Sequence, residues 1–264
     1  MTQSGYALVT GASRGLGRCF ARTLAARKQN LVLVARSQDK LQALANELTS
    51  AHRIQVEPIV FDLAAADAGA RLAEQLLGRR VRIDLLVNNA GAGKQGWFLE
   101  MDLTRQLEAV RLQNATIVEL VYKLLPPMIE RRQGGIINVS SMAGLQPIPY
   151  ATIYSSTKAF LTNFSLAVEA EVGRFGIAVV TLCPGHLQMA PEDVDPTAER
   201  RKVPGGEQSH EEVVNAALRK LDQGGGLVIP GTRNKLTAFA EHFVPRSKEA
   251  RLVGKFSKPK RKDT

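Results

Sequence analysis

The chain has 264 residues, 44% hydrophobic and 23% charged, enough for one α/β domain whose core needs no covalent or metal staple. Its formal net charge of +10 is lopsided: ten Lys/Arg against three acids lie in residues 233–264, so this tail carries +7 and residues 1–232 only +3. That distribution argues against a domain-wide basic surface for specific nucleic-acid recognition, and two isolated cysteines, Cys19 and Cys183, argue against a disulfide framework or a metal centre.

The first apolar run, Tyr6–Val9, reads as a strand with no basic stretch before it and no cleavage site after it, so a cytoplasmic location is expected. Thr10-Gly11-Ala12-Ser13-Arg14-Gly15-Leu16-Gly17 then leads into a helix over Gly15–Arg27. Gly11 permits a tight turn, while Gly15 and Gly17 let backbone approach a pyrophosphate and let the helix pack on a sheet. The helix N-terminus turns its N–H groups toward the anion. A second strand, Leu31–Ala35, ends on Arg36-Ser37, where NAD-binding chains usually carry an acid for the ribose 2′-hydroxyl. Arg14 and Arg36 are placed to flank a 2′-phosphate, which favours NADPH.

A helix over Asp39–Ala51, a strand Gln55–Phe61, a helix Ala66–Gly78 and a strand Leu85–Asn88 follow. The long helical segment Leu103–Arg132 is expected to bend or end at Pro126-Pro127. Asn114, in its apolar middle, is poor helix material that asks for a reason. A strand over Gly135–Ser140 delivers Ser141 to the carboxyl edge of a sheet. The next helix, Thr152–Gly173, opens with Tyr154 and Lys158 at i, i+4, so phenol and ammonium share one face. A neighbouring ammonium is expected to lower the phenol pKa toward working pH.

Beyond the strand Ala178–Cys183, the irregular stretch Gly185–Gln208 is long enough to be a lid. A helix Glu211–Asp222 and a short strand Leu227–Ile229 complete the pattern. Alternating apolar strands and helices predict a Rossmann-type doubly wound parallel sheet of about seven strands with helices on both faces. Residues 1–232 are read as one nucleotide-binding catalytic domain. Residues 233–264 are read as a basic, partly disordered extension, a solvated tail first and, as the sharper alternative, a segment weakly attracted to an anionic membrane or to nucleic acid.

In the order and spacing of these segments the chain resembles the short-chain dehydrogenase/reductase family over nearly its whole length up to Ile229. The matching residues are the Thr10–Gly17 motif, Asp62-Leu63, Asn88-Asn89-Ala90-Gly91, Asn114, Ser141, Tyr154, Lys158 and Pro184-Gly185. Asn114 precedes Tyr154 by 40 residues and Ser141 precedes it by 13.

The resemblance implies an NADP(H)-dependent enzyme interconverting a carbonyl and an alcohol. Tyr154 would be the acid–base, Ser141 would polarise the substrate oxygen, and Lys158 would tune Tyr154 and hold the nicotinamide ribose. Asn114 would anchor a relay water. Cofactor contacts would come from Gly11, Ser13, Arg14, Gly15, Leu16, Gly17, Arg36, Ser37, Asp62, Leu63, Asn89, Ala90, Gly91, Tyr154, Lys158, Pro184, Gly185 and Leu187, and no metal is implied. The family also implies a homodimer or homotetramer. One departure stands out: Met189 occupies the place of the Thr that contacts the carboxamide in many relatives, leaving Leu187 backbone or the Gln188 side chain to substitute.

Met142, Leu145, Ile148, Leu187 and Met189 suggest a hydrophobic substrate. The Arg200-Arg201-Lys202 run is a second candidate, for an acidic thioester arm. His186 is read as an ordinary loop residue. A nucleotide-sensing or scaffolding protein on the same fold is the competing reading.

Overall fold

In a computed structural model of the chain, residues 5–189, 206–241 and 243–258 are described. Seven parallel strands form a single sheet in the order β3-β2-β1-β4-β5-β6-β7. They are β1 (Tyr6–Thr10), β2 (Asn30–Ala35), β3 (Val56–Val60), β4 (Ile83–Asn88), β5 (Gly134–Val139), β6 (Ile177–Leu182) and β7 (Gly225–Val228). The connecting helices are α1 (Gly15–Ala26), α2 (Gln38–His52), α3 (Ala68–Gly78), α4 (Leu103–Val110), α5 (Thr116–Glu130), α6 (Thr152–Val172) and α7 (His210–Asp222). Strand order reverses between β1 and β4, which makes the crevice at their carboxyl ends the natural ligand site.

The strands are apolar because both faces are covered. Ala7 and Val9 of β1 point into a layer with Phe20, Leu41 and Val213 from α1, α2 and α7. Leu8, one residue out of phase, points into the opposite layer with Leu72, Leu120 and Leu161 from α3, α5 and α6. Both cysteines are free and buried, and burial pushes the Cys19 thiol up to about 11.

Three expectations need correction. The segment read as one helix over Leu103–Arg132 divides: α4 and α5 are joined by a π-helical turn, Arg111–Ala115, that contains Asn114. Pro126 and Pro127 do not end the helix before Met128; α5 runs through both to Glu130. The carbonyl deprived of Pro126 belongs to Tyr122, an exposed residue, while the fully buried Met128 holds the last turn against the sheet. The third correction concerns the basic extension, in which α8 (Thr232–Glu241) and α9 (Arg246–Ser257) form where only a tail was expected.

The last strand also starts earlier than its apolar residues suggest. Gly225, at φ +100°, lies so close to β6 that a Cβ would stand 2.5 Å from the Val179 carbonyl oxygen. Such a strand is specified by lack of bulk, which hydrophobic periodicity does not report.

Candidate active site

The glycine loop and the β4 loop are tied together at the switch point. The Thr10 hydroxyl accepts hydrogen bonds from the backbone N–H groups of Asn89 (2.9 Å) and Ala90 (3.0 Å) and donates to the Val87 carbonyl (3.2 Å). The Asn89 amide donates to the Thr10 and Gly11 carbonyls. A Cβ on Gly11 would stand 2.9 Å from Ala90 Cα, and one on Gly17 would stand 2.3 Å from the Gly11 carbonyl oxygen, so both positions demand glycine.

Gly15 differs, since its φ is +51° and a Cβ there would meet only His210 Nε2, at 4.0 Å. Beside it, the helix α1 N-cap, Arg14, makes no side-chain cap bond. Room beside Gly15 at a helix N-terminus without a side-chain cap from Arg14 fits the diphosphate of a dinucleotide. Leu16 is buried beneath the loop, and Ser13 is half-buried within it.

Arg14, Arg36 and Ser37 are exposed at the carboxyl ends of the adjacent strands β1 and β2, the side on which an adenosine ribose would lie. Asp62 is also exposed, and its carboxylate caps the Ala64 N–H at 3.0 Å. Leu63 is buried, with its carbonyl accepting from the Thr116 hydroxyl.

A cavity of about 430 Å³ opens at the carboxyl ends of β1, β4, β5 and β6. Ser141, Tyr154, Lys158, Asn89, Gly91, Pro184, Gly185 and Leu187, drawn from four separate stretches of sequence, all face it. Ser141 follows β5 in extended conformation, with its hydroxyl accepting from the Ala143 N–H (3.1 Å) and hydrogen-bonded to the Tyr154 phenol. Lys158 is 5% exposed and donates through Nζ to the Val139 carbonyl at 2.8 Å. Its nitrogen is 5.8 Å from the centre of the Tyr154 ring.

Burial pushes the Lys158 ammonium down to about 8. For Tyr154 the direction is the reverse of the expected one. Burial raises the phenol above its ordinary value, the Ser141 hydrogen bond opposes that rise, and Lys158 is not among the causes. The ammonium reaches back toward β5 and holds the Val139 carbonyl, and desolvation of the phenol wins.

Asn114 does not line the cavity. Its amide crosses from the π turn to α6 and donates to the Thr157 carbonyl at 3.1 Å, next to Lys158. The polar residue that was out of place in a helix therefore sits where the helix widens, and it ties down the element carrying Tyr154 and Lys158.

Several site residues escaped sequence reasoning. Gln113, beside Asn114, is fully buried and lines the cavity. Its amide nitrogen holds the Ala92 carbonyl at 2.7 Å, while its Oε1 has no partner. A buried, unpaired carbonyl oxygen facing a cavity is an acceptor for a donor brought by a ligand or by water. Gly93 packs on the catalytic ring, where a Cβ would stand 2.6 Å from Tyr154 Cδ2. Behind the site the Asn88 amide donates to Asn138 Oδ1 and the Asn138 amide to the Ser165 hydroxyl, each at 2.8 Å, joining β4, β5 and α6. The signal for this ladder was present: an Asn at or next to the end of each of two strands whose other side chains are apolar apart from Asp84.

Of the five apolar residues expected near the substrate, only Leu187 lines this cavity. Met142 and Leu145 belong to the turn after Ser141, and Met189 is exposed. Leu187 bridges to Gln208, whose side chain accepts from the Gly185 N–H at 3.1 Å, and the His186 side chain is exposed. Arg200-Arg201-Lys202 and most of the expected lid, 190–205, lie outside the described residues. Among the described residues no three metal-ligating side chains cluster.

Comparison with known proteins agrees with this geometry. Residues 5–195 match the family described as short chain dehydrogenase. The very-long-chain 3-oxoacyl-CoA reductase of Bos taurus is 34% identical over 186 residues, 69% of this chain and 59% of that protein. Its counterpart in Rattus norvegicus is also 34% identical, over 243 residues, 90% of this chain and 72% of that one. The chain thus spans little more than half the length of some of these relatives.

Among solved structures, a short-chain dehydrogenase from Sphingobium yanoikuyae in complex with NADPH superposes with a TM-score of 0.78 at 28% identity, covering 90% of this chain and 93% of that one. A bulky-bulky ketone specific alcohol dehydrogenase from Comamonas testosteroni gives 0.77 at 27%, covering 92% and 96%. With its parallel seven-stranded sheet, its glycine turn and its Ser-Tyr-Lys cavity, this chain belongs to the short-chain dehydrogenase family, a family of oxidoreductases.

Proposed function

We propose that the protein is an NADP(H)-dependent oxidoreductase that interconverts a ketone or aldehyde with the corresponding alcohol. The observation that carries this reading is the convergence of Ser141, Tyr154 and Lys158 on one cavity, with the Ser141 hydroxyl on the Tyr154 phenol. In reduction Tyr154 Oη gives its proton to the substrate oxygen, and in oxidation it takes one back. Ser141 Oγ donates to the same oxygen and stabilises charge developing there. Lys158, anchored on Val139, places a positive charge beside the phenol and supplies N–H donors to a sugar hydroxyl. A bound nicotinamide supplies the hydride chemistry. The glycine loop and the Gly91–Gln95 strap hold and shield the reacting groups.

Preference for the phosphorylated dinucleotide rests on Arg14 and Arg36, two exposed guanidiniums on neighbouring strand ends with no acid at the end of β2. The substrate is read as hydrophobic. Relatives named as very-long-chain 3-oxoacyl-CoA reductases favour a long-chain 3-oxoacyl thioester over a compact ketone. A homo-oligomer is also proposed, with Leu103, Leu107, Tyr122 and Phe160, all exposed on α4, α5 and α6, as the apolar face it would cover.

Calorimetry with NADPH and NADH, on the wild type and on Arg36→Asp, tests the cofactor reading. Tight NADPH binding that weakens by at least about tenfold in the variant supports it. Equal affinity for both nucleotides would sink the 2′-phosphate argument. Binding without turnover of any carbonyl would instead favour a nucleotide-sensing role.

A further inference from the structure

The C-terminal helices carry a surface that the reaction does not use. Leu236, Phe239 and Phe243 fall at i, i+3 and i+7 along and just past α8, and they are 64%, 67% and 73% exposed. The rings of Phe239 and Phe243 meet edge to face at 5.2 Å, so the ridge is continuous. The helix turns the small residue Ala238, only 7% exposed, away from this ridge. On α9, Leu252 is a further exposed apolar side chain.

Charge on the same two helices is one-sided. Arg233, Lys235, Arg246, Lys248, Arg251, Lys255 and Lys258 are all exposed. The two acids of the described extension are turned inward: Glu241 is half-buried and accepts from the Gln146 amide at 2.8 Å, and Glu249 is 6% exposed. Among the described residues these two helices therefore present water with seven cations and an aromatic ridge, and with no well-exposed carboxylate. Acids drawn inward and aromatics turned outward are the reverse of what a solvated tail needs, since exposing three large apolar side chains opposes folding and solubility.

The pair of helices also sits on the rim of the active site. The Asn234 amide of α8 bonds Gln208 Oε1 (2.9 Å), the atom that also receives the Gly185 N–H of the cavity wall. Gly254 of α9 packs on Pro149, close to Ala151 in the cavity lining.

We propose that α8 and α9 form a docking surface for an anionic phospholipid bilayer, with Leu236, Phe239 and Phe243 entering the headgroup boundary and the seven cations meeting lipid phosphates and carboxylates. Docking in this way turns the rim of the active-site cavity toward the membrane. The proposal stands on the ridge and its charges and does not depend on which substrate the cavity takes.

The test is cosedimentation of the full chain with vesicles of phosphatidylcholine, with and without phosphatidylglycerol, alongside sedimentation velocity without lipid. NADPH calorimetry on each variant reports the integrity of the nucleotide domain separately. The expected result is binding to the anionic vesicles that falls as salt rises and is weak on neutral ones. Replacing Leu236, Phe239 and Phe243 together by Ser lowers the partition coefficient about tenfold or more. Arg246→Gln with Lys248→Gln and Arg251→Gln lowers it by a similar factor on anionic vesicles only. No cosedimentation with anionic vesicles, or partitioning unchanged by the serine variant, overturns the proposal. So does a wild-type oligomer that the serine variant converts to monomer, because the ridge would then be an interface between copies of this chain.

Discussion

The side-chain amide of Asn114 donates to the backbone carbonyl of Thr157 at 3.1 Å, across the gap between the π turn of residues 111–115 and helix α6. Thr157 is the residue before Lys158, so this bond fixes the height of the lysine over the Val139 carbonyl that receives its ammonium. Lys158 is thus held from two sides, by β5 and by a widened turn of a neighbouring helix. Asn114→Leu removes the bond at similar volume. Stability should fall by about 0.5–1.5 kcal/mol while turnover falls more steeply, which chemical denaturation and initial rates can separate.

Tyr154→Phe keeps the ring that packs on Gly93 but removes the group that moves the proton. Turnover should fall by roughly 10²–10⁴-fold with NADPH affinity nearly unchanged. Retained turnover would move the acid–base role to another group.

Gly93→Ala places a methyl only 2.6 Å from Tyr154 Cδ2. The ring must tilt or the strap must lift, and either displaces the phenol from Ser141. A fall in kcat of about tenfold or more is expected, since small misplacements of reacting groups are costly, with the melting temperature changed far less. A variant with normal kcat would show that the strap yields freely.

Gln113→Leu leaves the Ala92 carbonyl without its donor and deletes the unpaired Oε1 that faces the cavity. Amide exchange in residues 91–95 should speed up, and the KM for substrate or nucleotide should rise by about tenfold, the cost of roughly one good buried hydrogen bond. Unchanged exchange across that strap would show that other contacts hold it.

Lys158 binds its proton below about pH 8 in the folded chain and below its ordinary 10.5 when unfolded. Between those values the unfolded chain holds more protons, so the lysine's contribution to stability rises with pH across this window. Below it, the full cost of burying the charge is present. Lys158→Met should therefore abolish turnover yet raise stability at pH 7, by up to about 3 kcal/mol less the lost bond to Val139. The advantage should shrink toward pH 10. Melting curves of both proteins at the two pH values measure this, and a variant less stable at pH 7 would contradict it.

Much of this site was legible one segment at a time. Apolar strands alternating with amphipathic helices announced the parallel sheet, because strands covered on both faces admit few polar residues. The glycine turn, Ser141, and Tyr154 with Lys158 were legible because their chemistry needs those residue types at those spacings. The break in the long helix at Asn114 was visible only as an anomaly, since a π turn leaves no pattern of its own in the sequence.

By itself, then, the order of residues determined the fold class, the glycine turn after the first strand and the spacing of Ser141, Tyr154 and Lys158, all of which follow from local periodicity and residue chemistry. Tertiary structure decided the rest. It turned the Lys158 ammonium toward Val139 and left the Tyr154 phenol governed by burial, because a pKa depends on the surroundings in space and not on spacing along a helix. It set Gly93 on the Tyr154 ring, 61 positions away in sequence, and Gln113 in the cavity wall on the Ala92 carbonyl, 21 positions away. It also folded the basic extension into two helices with aromatics outward and acids inward, an arrangement that composition alone does not reveal because charge count carries no direction.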